Sequence, residues 1–253
     1  MLCRTAMLSS LDLMSNMEHM LTDKKTRYYI LDAYRGLCVI LMILHHIAFD
    51  LVIYEYIPEW LIFNPILDIL QPFFAGSFIL LSGISCRFSR NNLKKGIILA
   101  FIAAGVSLVT YFFTPDMYIS FGILHFLACA SILYSIFNKL FFNDTVFLII
   151  WSAIFAVAFH YFPIMIEKEG YAFLGFPTPF YASGDYYPIL PWIFLFFAGS
   201  CIGGFIKKNK MPAFFYTVRI PFLEKIGKYS LIIYLAHQPL IYGIMLLLEK
   251  YGN

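Results

Sequence analysis

The chain has 253 residues, of which 61% are hydrophobic and 13% charged, with a net charge of +3 and a mean hydropathy of +0.77. A water-soluble fold of this length has no means of hiding so much apolar surface, so composition points to an integral membrane protein. The five cysteines show no secreted disulfide framework, and the small net charge says little about nucleic acid, which is not an expected partner.

Residues 1–26 are Met-rich and mixed and read as a cytoplasmic tail ahead of a single membrane domain over 27–253. They lack the charged start, apolar run and small-residue cleavage site of a removable signal peptide. They read either as a loose interfacial segment or as an extension upstream of a start at Met17 or Met20. Seven apolar segments follow, at 31–54, 66–86, 96–113, 119–140, 146–162, 188–206 and 229–248. Each suits a hydrocarbon core about 30 Å thick. Lipid offers backbone groups no partner, so the segments are predicted to be helices and the fold all-α. Arg4, Lys24, Lys25 and Arg27 precede the first segment, Arg87, Arg90, Lys94 and Lys95 follow the second, and Lys207, Lys208, Lys210, Arg219, Lys225 and Lys228 separate the last two. By the positive-inside rule the N-terminus is expected in the cytoplasm and the C-terminus outside.

The first segment carries Asp32, Arg35, His46 and Asp50 within an arc of roughly 60° of a helix. Ionisable groups at membrane depth are costly and usually face a cavity or a reaction site. His46 is the natural general base, and Asp50, one turn later, is positioned to accept a hydrogen bond from its imidazole. Arg35 lies three turns away, about 16 Å nearer the cytoplasm. A purely structural polar seam is the alternative.

On the second segment Asp68, Gln71, Ser82 and Ser85 fall within about 100° of one another. Gln71 is expected at the depth of His46 and Ser82 at that of Arg35, with Arg87 beyond as a phosphate ligand or a topogenic charge. His125 on the fourth segment, Asp185 before the sixth, and His237 with Gln238 on the seventh each add a polar group. Any one alone reads as an interhelical hydrogen bond, but together they suggest a shared cavity. His160 is expected at the interface. The aromatic outer loop 163–187 reads as an interfacial belt or a sugar-stacking surface.

Five ordered motifs then stand out: Leu31-Asp-Ala-Tyr-Arg-Gly-Leu37 running on to His46, Gly76-Ser-Phe-Ile-Leu-Leu-Ser-Gly83, Phe121-Gly-Ile-Leu-His125, Asp185-Tyr-Tyr-Pro-Ile-Leu-Pro-Trp192 and Ser230-Leu-Ile-Ile-Tyr-Leu-Ala-His-Gln-Pro239. Together they resemble the heparan-α-glucosaminide N-acetyltransferase catalytic-domain family, and the Arg35 to His46 spacing resembles that of wider transmembrane acyltransferases that decorate envelope sugars. The resemblance implies an acyl-CoA donor, acetyl-CoA foremost, from the cytoplasm and a saccharide hydroxyl or amine acceptor on the far side. The animal lysosomal enzymes of that family carry Asn where this chain has His46 and an essential His slightly later, whereas residues 55–64 contain none. His46 is therefore carried over from the wider pattern.

The expected protein is a multi-pass enzyme of a bacterial plasma membrane. In it His46 acts as base or acyl carrier, Asp50 orients it, and Arg35 and Arg87 hold CoA phosphates. Gln71, His125 and His237 line the acyl path or polarise the thioester, and Ser82 and Asp185 complete the binding set. No metal is expected, and a homo-oligomer remains open. A small-solute transporter using the same polar path, and a haem-bearing electron carrier with His46, His125 and His237 as ligands, are the alternatives.

Overall fold

The computed structural model describes residues 28–141 and 143–251, so the expected tail over residues 1–26 lies outside the described residues. The chain builds α1 (Tyr29–Ile53), α2 (Pro65–Cys86), α3 (Asn92–Phe113), α4 (Ile123–Phe137), α5 (Asp144–Tyr161), α6 (Ile189–Lys207), a short α7 (Pro221–Lys228) and α8 (Ser230–Tyr251). Among the described residues there is no strand, only a bridge between Phe121 and Tyr186. The fold is all-α and polytopic.

Three spans begin at an asparagine that satisfies the orphan amides of the first turn. Asn64 Oδ1 accepts from the amides of Ile66 and Leu67 at 3.1 Å, with Pro65 at the first helical position. Asn91 accepts from Lys94 at 2.8 Å, and Asn143 from Thr145 and Val146. These caps set where the helices enter the apolar zone.

Among the described residues six helices are long and apolar enough to cross a membrane. The expected fourth span is the exception: α4 has 15 residues, about 22 Å of helix, and so falls short of the other six. The reason lies at its start. The Ile119 amide bonds to Thr110 Oγ1 at 3.2 Å, the Phe121 carbonyl accepts from Tyr187 at 3.1 Å, and the Ile123 amide donates to Asp185 at 2.8 Å. Residues 119–122 are thereby drawn into the loop ahead of α6, and the helix begins only at Ile123.

α6 is the most enclosed span and lies against α2, α4 and α5. Its main cluster joins Phe126 and Tyr134 of α4, Trp192, Phe196 and Phe197 of α6, and Phe141. α2 and α6 approach backbone to backbone: a Cβ at Gly83 would overlap the Phe196 carbonyl oxygen, and one at Gly199 the Leu80 carbonyl oxygen. Small residues at helix contacts are what permit such approach in lipid, where no water-driven force pushes helices together. Gly36 of α1 and Gly227 of α7 form a second contact of this kind, each against the other helix's backbone. α5 packs Phe147, Trp151 and Phe155 against the main cluster and leaves its other face exposed, with Ile149, Ile154 and Val157 facing outward. That surface is tolerable only against acyl chains.

Candidate functional site

Two polar regions lie along α1, one bordered by α1, α2, α3, α4, α7 and α8 and the other between α1 and α8. The first surrounds Arg35. Its guanidinium pairs with Asp32 one turn back at 3.0 Å and donates to Ser85 Oγ at 2.6 Å, and Ser85 in turn donates to the Leu81 carbonyl at 2.8 Å. The stripes predicted on α1 and α2 do face each other here. They border a cavity of about 610 Å³. Its polar lining comes from Asp32, Arg35, Ser82, Lys95, Ser131 and Lys228, and its apolar wall from Phe78, Leu99, Leu124 and Leu127. It extends to Tyr234 on α8. Lys95, Ser131 and Lys228 were not singled out in the sequence, where Lys95 and Lys228 read only as topogenic charges.

Arg87 is not part of this lining. Its guanidinium donates to Asp144 Oδ1 at 2.8 Å and lies 3.4 Å from the Tyr134 hydroxyl, while Lys208 takes the second Asp144 oxygen at 2.5 Å. Asp144 is buried and a cation on either side compensates it, so the trio clamps the ends of α2, α5 and α6. The phosphate role expected for Arg87 has no support in this placement.

The second region surrounds His46. Its ring lies 5.0 Å, centroid to centroid, from that of His237 on α8. Asp50 is buried one turn further along and accepts a hydrogen bond from Gln238 Nε2 at 3.1 Å. The expected Asp50 to His46 hydrogen bond is absent among the described residues. A side chain from α8 has taken the carboxylate, and an imidazole from α8 has taken the place beside His46. His237 Nδ1 is held by the Tyr234 carbonyl at 2.5 Å, whereas His237 Nε2 and Gln238 Oε1 are buried without a hydrogen-bond partner among the described residues. Buried polar atoms left open in this way call for an explanation.

Tyr234 joins the two regions. It lines the cavity around Arg35, its carbonyl fixes His237, and its hydroxyl reaches Asp185 at 3.5 Å. His237 is three residues further along α8, a rise of about 4.5 Å.

The remaining predicted site residues are placed elsewhere. His125 Nδ1 accepts from the Gly122 amide at 3.2 Å, so Nε2 carries the proton and donates to Ser107 Oγ at 3.1 Å. That ring is satisfied at the start of α4 and does not line the cavity. Asp185 caps α4 through the Ile123 amide. Burial pushes its carboxyl up to about 6, against the opposing pull of the Ile123 amide and the Tyr234 hydroxyl. Gln71 is exposed, as is His160. Asp68 borders a separate, mainly apolar cavity of about 470 Å³ between α2, α5 and α6. Among the described residues no group of three or more His, Cys, Asp or Glu is disposed to hold a metal ion.

A bundle of apolar helices enclosing an ionisable seam defines a multi-pass membrane protein with a polar site at membrane depth. Residues 27–239 match the family described as heparan-alpha-glucosaminide N-acetyltransferase, catalytic, and the chain belongs to that family. It is thus a membrane protein of acetyltransferase type. Neither a curated protein nor a solved structure matches it.

Proposed function

We propose that the protein transfers an acyl group, acetyl foremost, from cytoplasmic acyl-CoA to a hydroxyl or amine of an extracytoplasmic saccharide. The observation that carries this reading is the cavity bordered by α1, α2, α3, α4, α7 and α8. Arg35, Lys95 and Lys228 outnumber Asp32 along it, its deeper wall is apolar, and it leads to the residue that fixes His237. Phosphates seek such cations, and Arg offers them a bidentate fork. A volume of about 610 Å³ suits a slender thioester arm with part of its nucleotide. The phosphate contacts are accordingly assigned to Arg35, Lys95 and Lys228, with Ser82 beside them. Arg87 is left to its ion pair.

Within this reading His46 and His237 form the reacting centre, and Asp50 acts through Gln238 to fix the turn of α8 that carries His237. The lysine and arginine distribution orients the Arg35 end toward the cytoplasm and the chain's first helix outward from there. A bacterial plasma membrane and an envelope sugar suit this arrangement.

The test is acetyl-CoA binding to the purified protein in detergent. Lys95→Ala and Lys228→Ala are each expected to weaken binding roughly 5- to 10-fold, the size of a partly exposed charge contact of about 1 kcal/mol. A small-solute transporter would bind no acetyl-CoA, and unchanged affinity in both variants would remove the cavity from donor binding.

A further inference from the structure

We infer that His237 is a catalytic residue of the transfer, the group whose Nε2 takes the proton from the acceptor nucleophile. The inference rests on the acyltransfer reading above and assigns a step within it. A carbonyl oxygen only accepts hydrogen bonds, so the contact with Tyr234 requires the proton of a neutral His237 to sit on Nδ1. The lone pair is then on Nε2. That atom is buried and has no hydrogen-bond partner among the described residues, and the ring faces His46 at 5.0 Å.

The arrangement is that of a base whose far nitrogen is anchored and whose near nitrogen is open, the pairing by which a fixed acceptor sets tautomer and aim. His46 lacks an equivalent anchor among the described residues, and Asp50, the partner that α1 alone would give it, is engaged by Gln238. His125 is the counter-example within the same chain, with both of its nitrogens occupied.

The step balances without a further reactant. The acceptor heteroatom attacks the thioester carbonyl carbon, and its proton passes to His237 Nε2. The new carbon to oxygen or nitrogen bond forms as the carbon to sulfur bond breaks. The proton then leaves Nε2 for the departing thiolate, giving free CoA thiol and neutral His237. The His46 ring stands beside His237, 5.0 Å away between centroids.

The experiment compares wild type with His237→Ala and His237→Asn, using labelled acetyl-CoA and a panel of amino and neutral sugars. Asn retains a donor where Nδ1 stands, so it preserves the bond to the Tyr234 carbonyl but removes the base. Both variants are expected to lose about 10²-fold or more in kcat with acetyl-CoA affinity unchanged, and the residual rate should rise with pH as hydroxide replaces the missing base. The titratable groups facing His237 are His46 and, through Gln238, Asp50 from α1, and on its own helix Tyr234 backed by Asp185. The residual profile is therefore read against His46→Ala as well. If His237→Asn keeps half or more of wild-type turnover, Nδ1 matters only for structure and the inference is overturned. If the wild type itself neither binds acetyl-CoA nor transfers from it, the functional reading fails, which is a separate result.

Discussion

Replacing Gly83 with alanine puts a methyl group where α2 meets α6. The added Cβ would overlap the Phe196 carbonyl oxygen and lie 2.9 Å from its carbon and 3.2 Å from its Cα. All three atoms are backbone, so no rotamer change relieves the clash, and the helices must separate by about 1 Å to restore ordinary contact. A gap of that size forfeits a quarter to a half of each dispersion contact along the seam. Gly199 meets the Leu80 carbonyl at the same crossing, so both halves of the contact open together. With overpacking alone costing about 1–3 kcal/mol, the combined loss is expected at about 2–4 kcal/mol. For a chain of this size that is an apparent Tm roughly 5–10 °C lower, read by thermal unfolding in mild detergent at a fixed scan rate. Gly105 on α3 serves as the control, since a Cβ there meets nothing within 4 Å. Gly105→Ala should be neutral or stabilising by up to about 1 kcal/mol through helix propensity. Gly83→Ala melting within a degree of wild type, or Gly105→Ala falling equally far, would show that the close α2–α6 approach does not set stability.

Asp144→Ala leaves Arg87 without its carboxylate. Complete burial of such a pair would make the loss about 3–5 kcal/mol, but Lys208 is 54% exposed and Arg87 22%, so about 2–3 kcal/mol is expected. In a double-mutant cycle Arg87→Gln should then cost clearly less in the Asp144→Ala background than in wild type. Asp185 titrates higher when folded than its ordinary value of 3.8. Its contribution to stability is therefore fully present below about pH 4 and is lost as pH rises through about 6. The swing is at most about 3 kcal/mol. Asp185→Asn keeps an acceptor for the Ile123 amide and should flatten that dependence, so that the variant melts higher than wild type at pH 8 and not at pH 4. Equal pH profiles for the two proteins would count against the buried carboxyl.

The apolar segments were legible because lipid leaves the backbone only one arrangement, and a run of about twenty apolar residues states it directly. The start of α4 was not, because what ends the helix at Ile123 is Asp185, 62 positions away. Arg35, on the stripe of α1, meets Ser85 and borders a cavity. The stripe misjudged Asp50, since one turn along a helix is a local rule and Gln238, 188 positions away, competes for the same carboxylate. Arg87 and His125 illustrate the same limit: each is claimed by a group from a distant segment that spacing along one helix cannot reveal. His237 was visible as a polar residue in the last span, but its tautomer and its neighbour exist only once α8 lies against α1.

The most direct measurement of the account is acetyl transfer by the purified protein reconstituted in vesicles, with labelled acetyl-CoA on one side and the sugar panel on the other. Label should appear on an acceptor sugar with wild type, with about a 10²-fold or greater loss in folded, acetyl-CoA-binding His237→Asn. Near wild-type transfer by that variant, or no transfer and no acetyl-CoA binding by the wild type, would contradict it.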